Sequence, residues 1–216
     1  MSPATDSCYT KSRMLNDLSA VDIVYVLISI IISLSIHEAM HAYAAHALGD
    51  TTAQDMGRLS LNPLRHIDPL TTVALPIITL LLFHVPILAA RPVPFNPARV
   101  KYDEFGGALI AAAGPVANLV LAVIGSLLLH LATNAAVFNF LDIFAILNVA
   151  LFVFNILPIP PLDGSRVLYA FAPEPLQDFM RQIEPYGLFI IFGLVLTGVL
   201  TPLLGNLNND ILNLLP

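Results

Sequence analysis

Five long apolar runs, separated by short polar stretches, decide what this chain of 216 residues can fold into. They cover residues 21–48, 69–90, 105–133, 137–157 and 186–204. About 20 apolar residues of helix cross the hydrocarbon core of a bilayer, so each run is long enough to span it. Charged residues make up 11% of the chain, against about 25% in soluble domains. The sequence therefore predicts an all-α polytopic membrane protein folded as a helical bundle.

The distribution of charge and cysteine excludes several functions. The nine Lys and Arg residues are scattered and the net charge is −6, whereas nucleic-acid binding needs clustered basic residues. Cys8 is the only cysteine, so the chain has no internal disulfide and no cysteine-based metal site. Any metal must be bound by His, Asp or Glu. We expect a polar N-terminal segment, residues 1–20, and a single membrane-embedded domain, residues 21–216.

The first apolar run contains His37-Glu38-Ala39-Met40-His41, which matches the H-E-x-x-H pattern. At about 100° per residue, the two histidines lie about 40° apart on one helix face, so both imidazoles can bind one metal ion. Glu38 projects from the neighbouring face and can reach a water molecule at that metal. Ionisable residues in a membrane helix are costly and usually mark functional sites. This favours a metal centre over two packing histidines beside a buried carboxylate.

A catalytic zinc ion needs a third protein ligand, for which the sequence offers two main candidates. Asp163 closes a stretch with Pro158, Pro160 and Pro161, which prevent a regular helix at the end of an apolar run. Such backbone persists at membrane depth only where protein or a water-filled cavity satisfies its polar groups. Asp163 is therefore the stronger candidate. Asp142, at the opposite end of the same run, is the weaker one.

Together, these motifs resemble those of the site-2 protease family of intramembrane zinc metalloproteases, in particular its short bacterial members without a PDZ domain. The similarity extends from about Ser35 to the C-terminus. Its second signature is Leu162-Asp163-Gly164. The other matching stretches, besides H-E-x-x-H, are residues 57–63, 66–69, 91–97, 113–118, 155–164 and 184–187.

The resemblance implies an activity and a set of site residues. The implied enzyme is a zinc endopeptidase that hydrolyses a peptide bond within or near the transmembrane segment of single-span membrane proteins in a bacterial plasma membrane. Glu38 would be the general base. One Zn²⁺ per chain would be bound by His37, His41 and Asp163. The amides implied to contact the substrate or the transition state are those of Asn118 and Asn155.

Residues 91–100 are punctuated by three prolines, which favours an extended strand or hairpin near the active site over a helix. Val93 and Phe95 in this strand could pair with an unwound substrate by adding a strand to it. The alternative is a simple connector between helices, because proline lacks the N–H that such pairing needs.

The position of the metal ligands also predicts the topology. His37 and His41 lie late in the first run, and Asp163 lies just after the fourth. Five full crossings would place these groups on opposite faces of the membrane, so we predict that residues 69–90 are re-entrant and that four runs cross. The metal-binding end then carries seven of the nine Lys and Arg residues, and the positive-inside rule orients it towards the cytoplasm.

A metal-ion or proton transporter could use the same buried His, Glu and Asp side chains. However, H-E-x-x-H places a base beside a metal instead of a series of sites along a path. The chain also lacks an internal repeat of the kind that marks many transporters. The sequence therefore favours the protease.

Overall fold

The computed structural model describes residues 19–65 and 94–216, and within these ranges it contains helices and no β-strand. Short 3-10 helices lie at Pro63–Arg65, Pro97–Arg99 and Glu184–Tyr186. In chain order, the α-helices are α1 (Ala20–Ala47), α2 (Thr52–Asp55), α3 (Asp103–Leu129), α4 (Ala135–Asn155), α5 (Asp163–Phe171), α6 (Glu174–Ile183), α7 (Gly187–Leu196) and α8 (Leu200–Leu214).

Four helical stretches among the described residues are long and apolar enough to cross a bilayer. They are α1, α3, α4 and the stretch Glu174–Leu196, which joins α6 and α7. A capping box starts α1: the Ser19 hydroxyl accepts from the Asp22 N–H, and the Asp22 carboxylate accepts from the Ser19 N–H. These helices confirm the predicted all-helical class and identify an integral membrane protein.

Helices α1 and α3 run antiparallel. Directly after α1, the Leu48 carbonyl accepts a hydrogen bond of 2.9 Å from the Lys101 N–H, which precedes α3. Further along both helices, His37 of α1 contacts Asn118 of α3. The end of α1 and the start of α3 therefore lie together, at what we call the near end of the bundle.

Helix α4 runs antiparallel to α3 and hence parallel to α1. Asn118 of α3 donates to Asn148 of α4 over 2.9 Å, and Tyr25 of α1 packs edge-on against Phe140 of α4 at 5.8 Å between ring centroids. The C-terminal end of α4 therefore also lies at the near end. This is the arrangement that lets a residue after α4 meet residues late in α1.

Helix α8 runs back along the bundle from the near end. Just beyond its end, the carbonyl of Pro216 accepts a hydrogen bond from the Ser126 hydroxyl of α3. Two apolar clusters pack α8 against its neighbours: Leu200 lies with Leu157, Leu162 and Ile191, and Leu212 lies with Ala122, Val149 and Val153.

The last apolar run, predicted over residues 186–204, is broken in the structure. Helix α7 ends at Leu196, and the N–H groups of Thr197 and Gly198 bond back to the carbonyls of Gly193 and Val195. Gly198 has a φ of +70°, a conformation that glycine adopts without steric cost. A glycine-terminated helix end therefore divides a run that hydropathy alone reads as continuous.

The strand predicted over residues 91–100 is not confirmed. Of its residues, 94–100 are described; 94–96 make no sheet pairing, and Pro97–Arg99 form a 3-10 helix capped by Asn96. The structural reason is the cap: the Asn96 side chain accepts from the Ala98 N–H, and Pro97 sets the φ of the first helical position. Phe95 is half-buried in an apolar cluster, and Val93 lies outside the described residues.

The predicted re-entrant segment, residues 69–90, also lies outside the described residues. The chain on either side of it meets at the near end. The backbone N–H of Asn96 donates to the carboxylate of Asp50 over 2.7 Å, and Phe95 packs beside Leu48.

Asp50 is the main polar contact in this connection. It is fully buried, and its carboxylate accepts from the Thr52 N–H at 3.0 Å, the Thr52 hydroxyl at 2.6 Å and the Asn96 N–H. Burial alone would raise the pKa of Asp50, but these hydrogen bonds and the nearby Arg99 lower it below its usual value. Asp50 is therefore charged at neutral pH and joins the residues after α1 to those before α3.

We predict that Asp50→Ala destabilises the protein by about 3 kcal/mol at pH 7, because hydrogen bonds to a buried charge contribute roughly 1.5–3 kcal/mol each. Since the pKa of Asp50 is lowered in the fold, the difference from wild type should narrow as the pH falls below about 4. Thermal unfolding in detergent micelles measures both effects. Asp55→Ala removes an exposed carboxylate nearby and should cost less than about 0.5 kcal/mol; equal losses in the two variants would contradict the prediction.

Candidate metal centre

Three potential metal ligands from α1 and α5 converge near the near end of the bundle. The Nε2 atoms of His37 and His41 are 3.0 Å apart. The Asp163 Oδ2 atom lies 3.2 Å from the first and 3.4 Å from the second. The histidines are 4% and 8% exposed. The structure thus brings together the three residues that the sequence predicted as ligands.

The spacing of these atoms fits a tetrahedral zinc site. Zinc binds His nitrogen and Asp oxygen at about 2.0–2.2 Å, so two ligand atoms of a tetrahedron lie about 3.3–3.6 Å apart. The three observed separations, 3.0, 3.2 and 3.4 Å, are close to this range. Two histidines and one carboxylate leave a fourth position open, as catalytic zinc sites do.

Both histidines direct Nε2 at the site because Nδ1 is engaged elsewhere. Nδ1 of His41 donates to the backbone carbonyl of Ile110 at 2.7 Å, and Nδ1 of His37 donates to the Asn118 side-chain oxygen at 2.5 Å. A neutral imidazole that donates from Nδ1 has a lone pair on Nε2. Two nitrogen lone pairs and a carboxylate oxygen therefore face one another, an arrangement that a shared metal ion or proton stabilises.

Asp163 reaches the site because the chain unwinds after α4. Residues 156–162 are non-helical, as the prolines predicted, and Asp163 is the first residue of α5. Gly164 lies in the first turn of α5. A Cβ on Gly164 would collide with the carbonyls of Ile156 and Leu157, so glycine is needed for close packing of α5 against the end of α4.

The Asp163 carboxyl is ionised in this environment. Burial would raise its pKa, but the contacts with His37 and His41 outweigh that effect and hold the pKa below its usual value. The site therefore presents one charged carboxylate oxygen and two imidazole nitrogens as ligand atoms. This set of ligands attracts a divalent cation.

Gly114 of α3 leaves the space in front of the two imidazoles. A Cβ at this position would lie 2.6 Å from Nε2 of His37 and closer still to Nε2 of His41. The small-residue stretch around Gly114 suggests close helix packing when read from sequence alone. The structure shows that the glycine also keeps the metal position accessible, a role that spacing along the chain does not reveal.

Glu38 lies on α1 between the two histidines in sequence and is 7% exposed. Its carboxylate interacts electrostatically with the His41 imidazole. This buried carboxylate directly follows the first potential ligand in the chain.

The other predicted site residues are placed differently. Asn118 is fully buried, and its oxygen supports His37. The side-chain amide of Asn155, at the end of α4, donates to the Leu151 carbonyl at 2.9 Å. Asp142, the weaker candidate for the third ligand, is not part of the metal-capable group. Asn148, which contacts Asn118, was missed; the only signal in the sequence is a polar residue in an apolar helix.

A cavity of about 490 Å³ lies at the near end, on the α5 side of the site. Its walls include Pro160 and Ser165, which flank Asp163 in the chain, and Phe95 of the preceding connection. Arg166 crosses one wall, 3.0 Å from Glu184 and 5.7 Å from the centre of the Phe95 ring.

We predict that Gly114→Ala abolishes stoichiometric zinc binding, because the added methyl group would occupy the space next to both Nε2 atoms. Metal analysis of the purified protein after dialysis against zinc provides the measurement. Gly107→Ala is the matched control on the same helix, since a Cβ there meets nothing within 4 Å. Full zinc content in Gly114→Ala would show that the ligand atoms do not meet in front of Gly114.

Residues 130–198 match the family model described as Peptidase family M50. The chain is 38% identical over 204 residues to YwhC of Bacillus subtilis (strain 168), covering 88% of this chain and 90% of that protein. It is 30% identical over 188 residues to Rip2 of Mycolicibacterium smegmatis, covering 82% of this chain and 68% of that protein. Both relatives are provisionally named zinc metalloproteases. No solved structure matches significantly. The chain therefore belongs to peptidase family M50, the family of the site-2 proteases.

Proposed function

We propose that this protein is an intramembrane zinc endopeptidase that cuts membrane proteins within or near a transmembrane segment. The observation that carries the proposal is the convergence of His37, His41 and Asp163 inside a bundle of apolar helices, with Glu38 beside them. Membership of peptidase family M50 and the zinc metalloprotease names of its relatives support the same activity. In this proposal the three ligands hold one Zn²⁺ per chain, and residues 21–216 act as a single membrane domain.

The chemistry divides between the metal and Glu38. When bound, zinc would act as a Lewis acid that polarises a carbonyl and lowers the pKa of a water molecule to about 7. Glu38 accepts the proton of the attacking water and passes it to the leaving amine, a positioned acid–base step that contributes roughly 10²–10⁴-fold. His37, His41 and Asp163 fix the reacting centre, and the buried surroundings exclude bulk water from it.

The substrate in this proposal is a single-span membrane protein whose helix unwinds locally, because the hydrogen bonds and side chains of an intact helix shield its peptide bonds. The near-end cavity gives an unwound segment access from the side of α5. We keep Asn155 as a contact for the substrate or the transition state, because it ends α4 just before the non-helical stretch. We also propose that the unwound substrate pairs as an added strand with the segment that contains Val93 and Phe95.

We further propose that the near end faces the cytoplasm of a bacterial plasma membrane, with residues 69–90 making no net crossing. The contacts of residues 95–101 with Leu48 and Asp50 support this topology. The near-end connections also carry seven of the nine Lys and Arg residues, in agreement with the positive-inside rule.

We expect Glu38→Gln to retain zinc and to lower cleavage of a model single-span substrate by at least about 100-fold, because it removes the base and no ligand. Asp163→Ala should lose both zinc and cleavage, whereas Glu174→Gln, an exposed acid on α6, should behave as wild type. Cleavage and metal content are measured on purified protein in detergent. Persistent cleavage by Glu38→Gln would remove the proposed base, and wild-type protein that binds zinc without cleaving any substrate would favour a transporter.

The topology is tested by single cysteines in a Cys8→Ser background, labelled with a membrane-impermeant thiol reagent. Gln54→Cys and Ala98→Cys, at exposed near-end positions, should react only in inverted vesicles, and Thr133→Cys, at the far end, only in right-side-out vesicles. Labelling of the two near-end cysteines from opposite sides would refute a topology without a net crossing between them.

A further inference from the structure

We propose that Asn148 of α4 is a positioning residue for the metal site, acting through Asn118 to keep the ring proton of His37 on Nδ1 and the Nε2 lone pair directed at the metal position. The inference rests on the proposed function, since it takes His37 to be a zinc ligand. It adds a residue from a fourth helix, in contact with neither metal nor substrate, to those that the site depends on.

A continuous line of hydrogen bonds joins α4 to His37. The Asn148 amide nitrogen donates to the backbone carbonyl of Phe144 at 2.8 Å. The Asn148 side-chain oxygen accepts from the Asn118 amide nitrogen at 2.9 Å. The Asn118 side-chain oxygen accepts from Nδ1 of His37 at 2.5 Å.

The donor-to-acceptor direction of this line of hydrogen bonds is fixed at Phe144, its end furthest from His37. A backbone carbonyl can only accept, so Asn148 must turn its NH₂ group towards Phe144 and its oxygen towards Asn118. Asn118 must then turn its NH₂ group towards Asn148 and its oxygen towards His37. An acceptor facing Nδ1 keeps the ring proton there and leaves the Nε2 lone pair for the metal.

The burial of the two amides makes this direction difficult to reverse. Asn118 and Asn148 are both 0% exposed, in helices with mean hydropathies of 2.1 and 2.2. A flipped Asn118 would place an NH₂ group against Nδ1 of His37 and its oxygen against the Asn148 oxygen. Buried polar groups that lack or oppose a hydrogen-bond partner are costly, so the flipped arrangement is strongly disfavoured.

The two histidines are therefore oriented by different means. His41 uses the carbonyl of Ile110 directly, and a backbone carbonyl cannot flip. His37 instead contacts the Asn118 side-chain amide, which could present either its oxygen or its NH₂ group. The hydrogen bond with Asn148 keeps the oxygen towards His37. Without Asn148, the Asn118 NH₂ group has only a contact of 3.5 Å with the Ser33 carbonyl, which leaves the flipped amide accessible and the His37 ligand nitrogen partly protonated.

The test compares zinc affinities of full-length variants in detergent by competition with a chromophoric chelator. Asn148→Ala should bind zinc at least tenfold more weakly, the lower end of the effect of removing an outer hydrogen-bond partner. Asn148→Asp should stay within about threefold of wild type, because a carboxyl oxygen still accepts from Asn118. Val149→Ala, a fully buried neighbour on α4, controls for lost packing and should leave zinc affinity unchanged.

Cobalt substitution gives a second readout that a purely structural role would not change. The visible spectrum of bound Co²⁺ reports ligand identity and geometry, so Asn148→Ala should alter it and Val149→Ala should not. If Asn148→Ala does not fold, Asn118→Asp takes its place: a carboxylate can only accept from Nδ1 of His37, so zinc affinity should equal or exceed that of wild type, and a tenfold loss would overturn the inference.

The outcomes separate the inference from the function on which it rests. Equal zinc affinity in wild type and Asn148→Ala, or equal losses in Asn148→Ala and Val149→Ala, would overturn the positioning role and leave the protease proposal intact. Wild-type protein that binds no zinc, or zinc binding that is unaffected by Asp163→Ala, would instead overturn the proposed function.

Discussion

The structure depends on the meeting of three lone-pair-bearing atoms, two imidazole nitrogens and one carboxylate oxygen, at separations of 3.0–3.4 Å. Facing acceptors repel each other unless a cation lies between them, so this arrangement makes sense as a metal site. It also joins two parts of the chain that are more than a hundred residues apart. The direction of α3 and α4, the unwound stretch after α4 and the packing of α5 all serve to bring Asp163 to the histidines of α1.

Backbone carbonyls supply the fixed reference points for this site. Helix α3 provides the carbonyl of Ile110 for His41, and α4 provides that of Phe144 at the start of the amide line to His37. Main-chain acceptors in a helix cannot rotate, so they orient side chains more reliably than a flexible donor would. In a bilayer, water cannot replace a lost hydrogen-bond partner, so polar side chains depend more strongly on such main-chain contacts.

The three residues that the structure brings together could be predicted from the sequence because their constraints are local. The spacing of His37 and His41 follows from helix geometry, and the prolines before Asp163 interrupt a helix by their own chemistry. The role of Gly114 and the link between Asn118 and Asn148 depend on contacts between helices, which leave no periodic signal. The strand predicted over residues 91–100 is not confirmed in its described part, residues 94–100, because the cap at Asn96 followed by Pro97 starts a 3-10 helix.

The ligands come from two different helices, and this division suggests from which side solvent and substrate reach the metal site. The two histidines lie on a long helix that packs against α3 and α4, whereas Asp163 starts a nine-residue helix at the near end. Arg166 of this helix forms an ion pair with Glu184 that is about half exposed. Exposed ion pairs contribute only about 0–1 kcal/mol to stability. Close packing at Gly164 therefore holds Asp163 in place more than charge does. The side of the site formed by α1 and its neighbours orients the metal. In the proposed function, an unwound substrate enters from the side formed by α5 and the cavity.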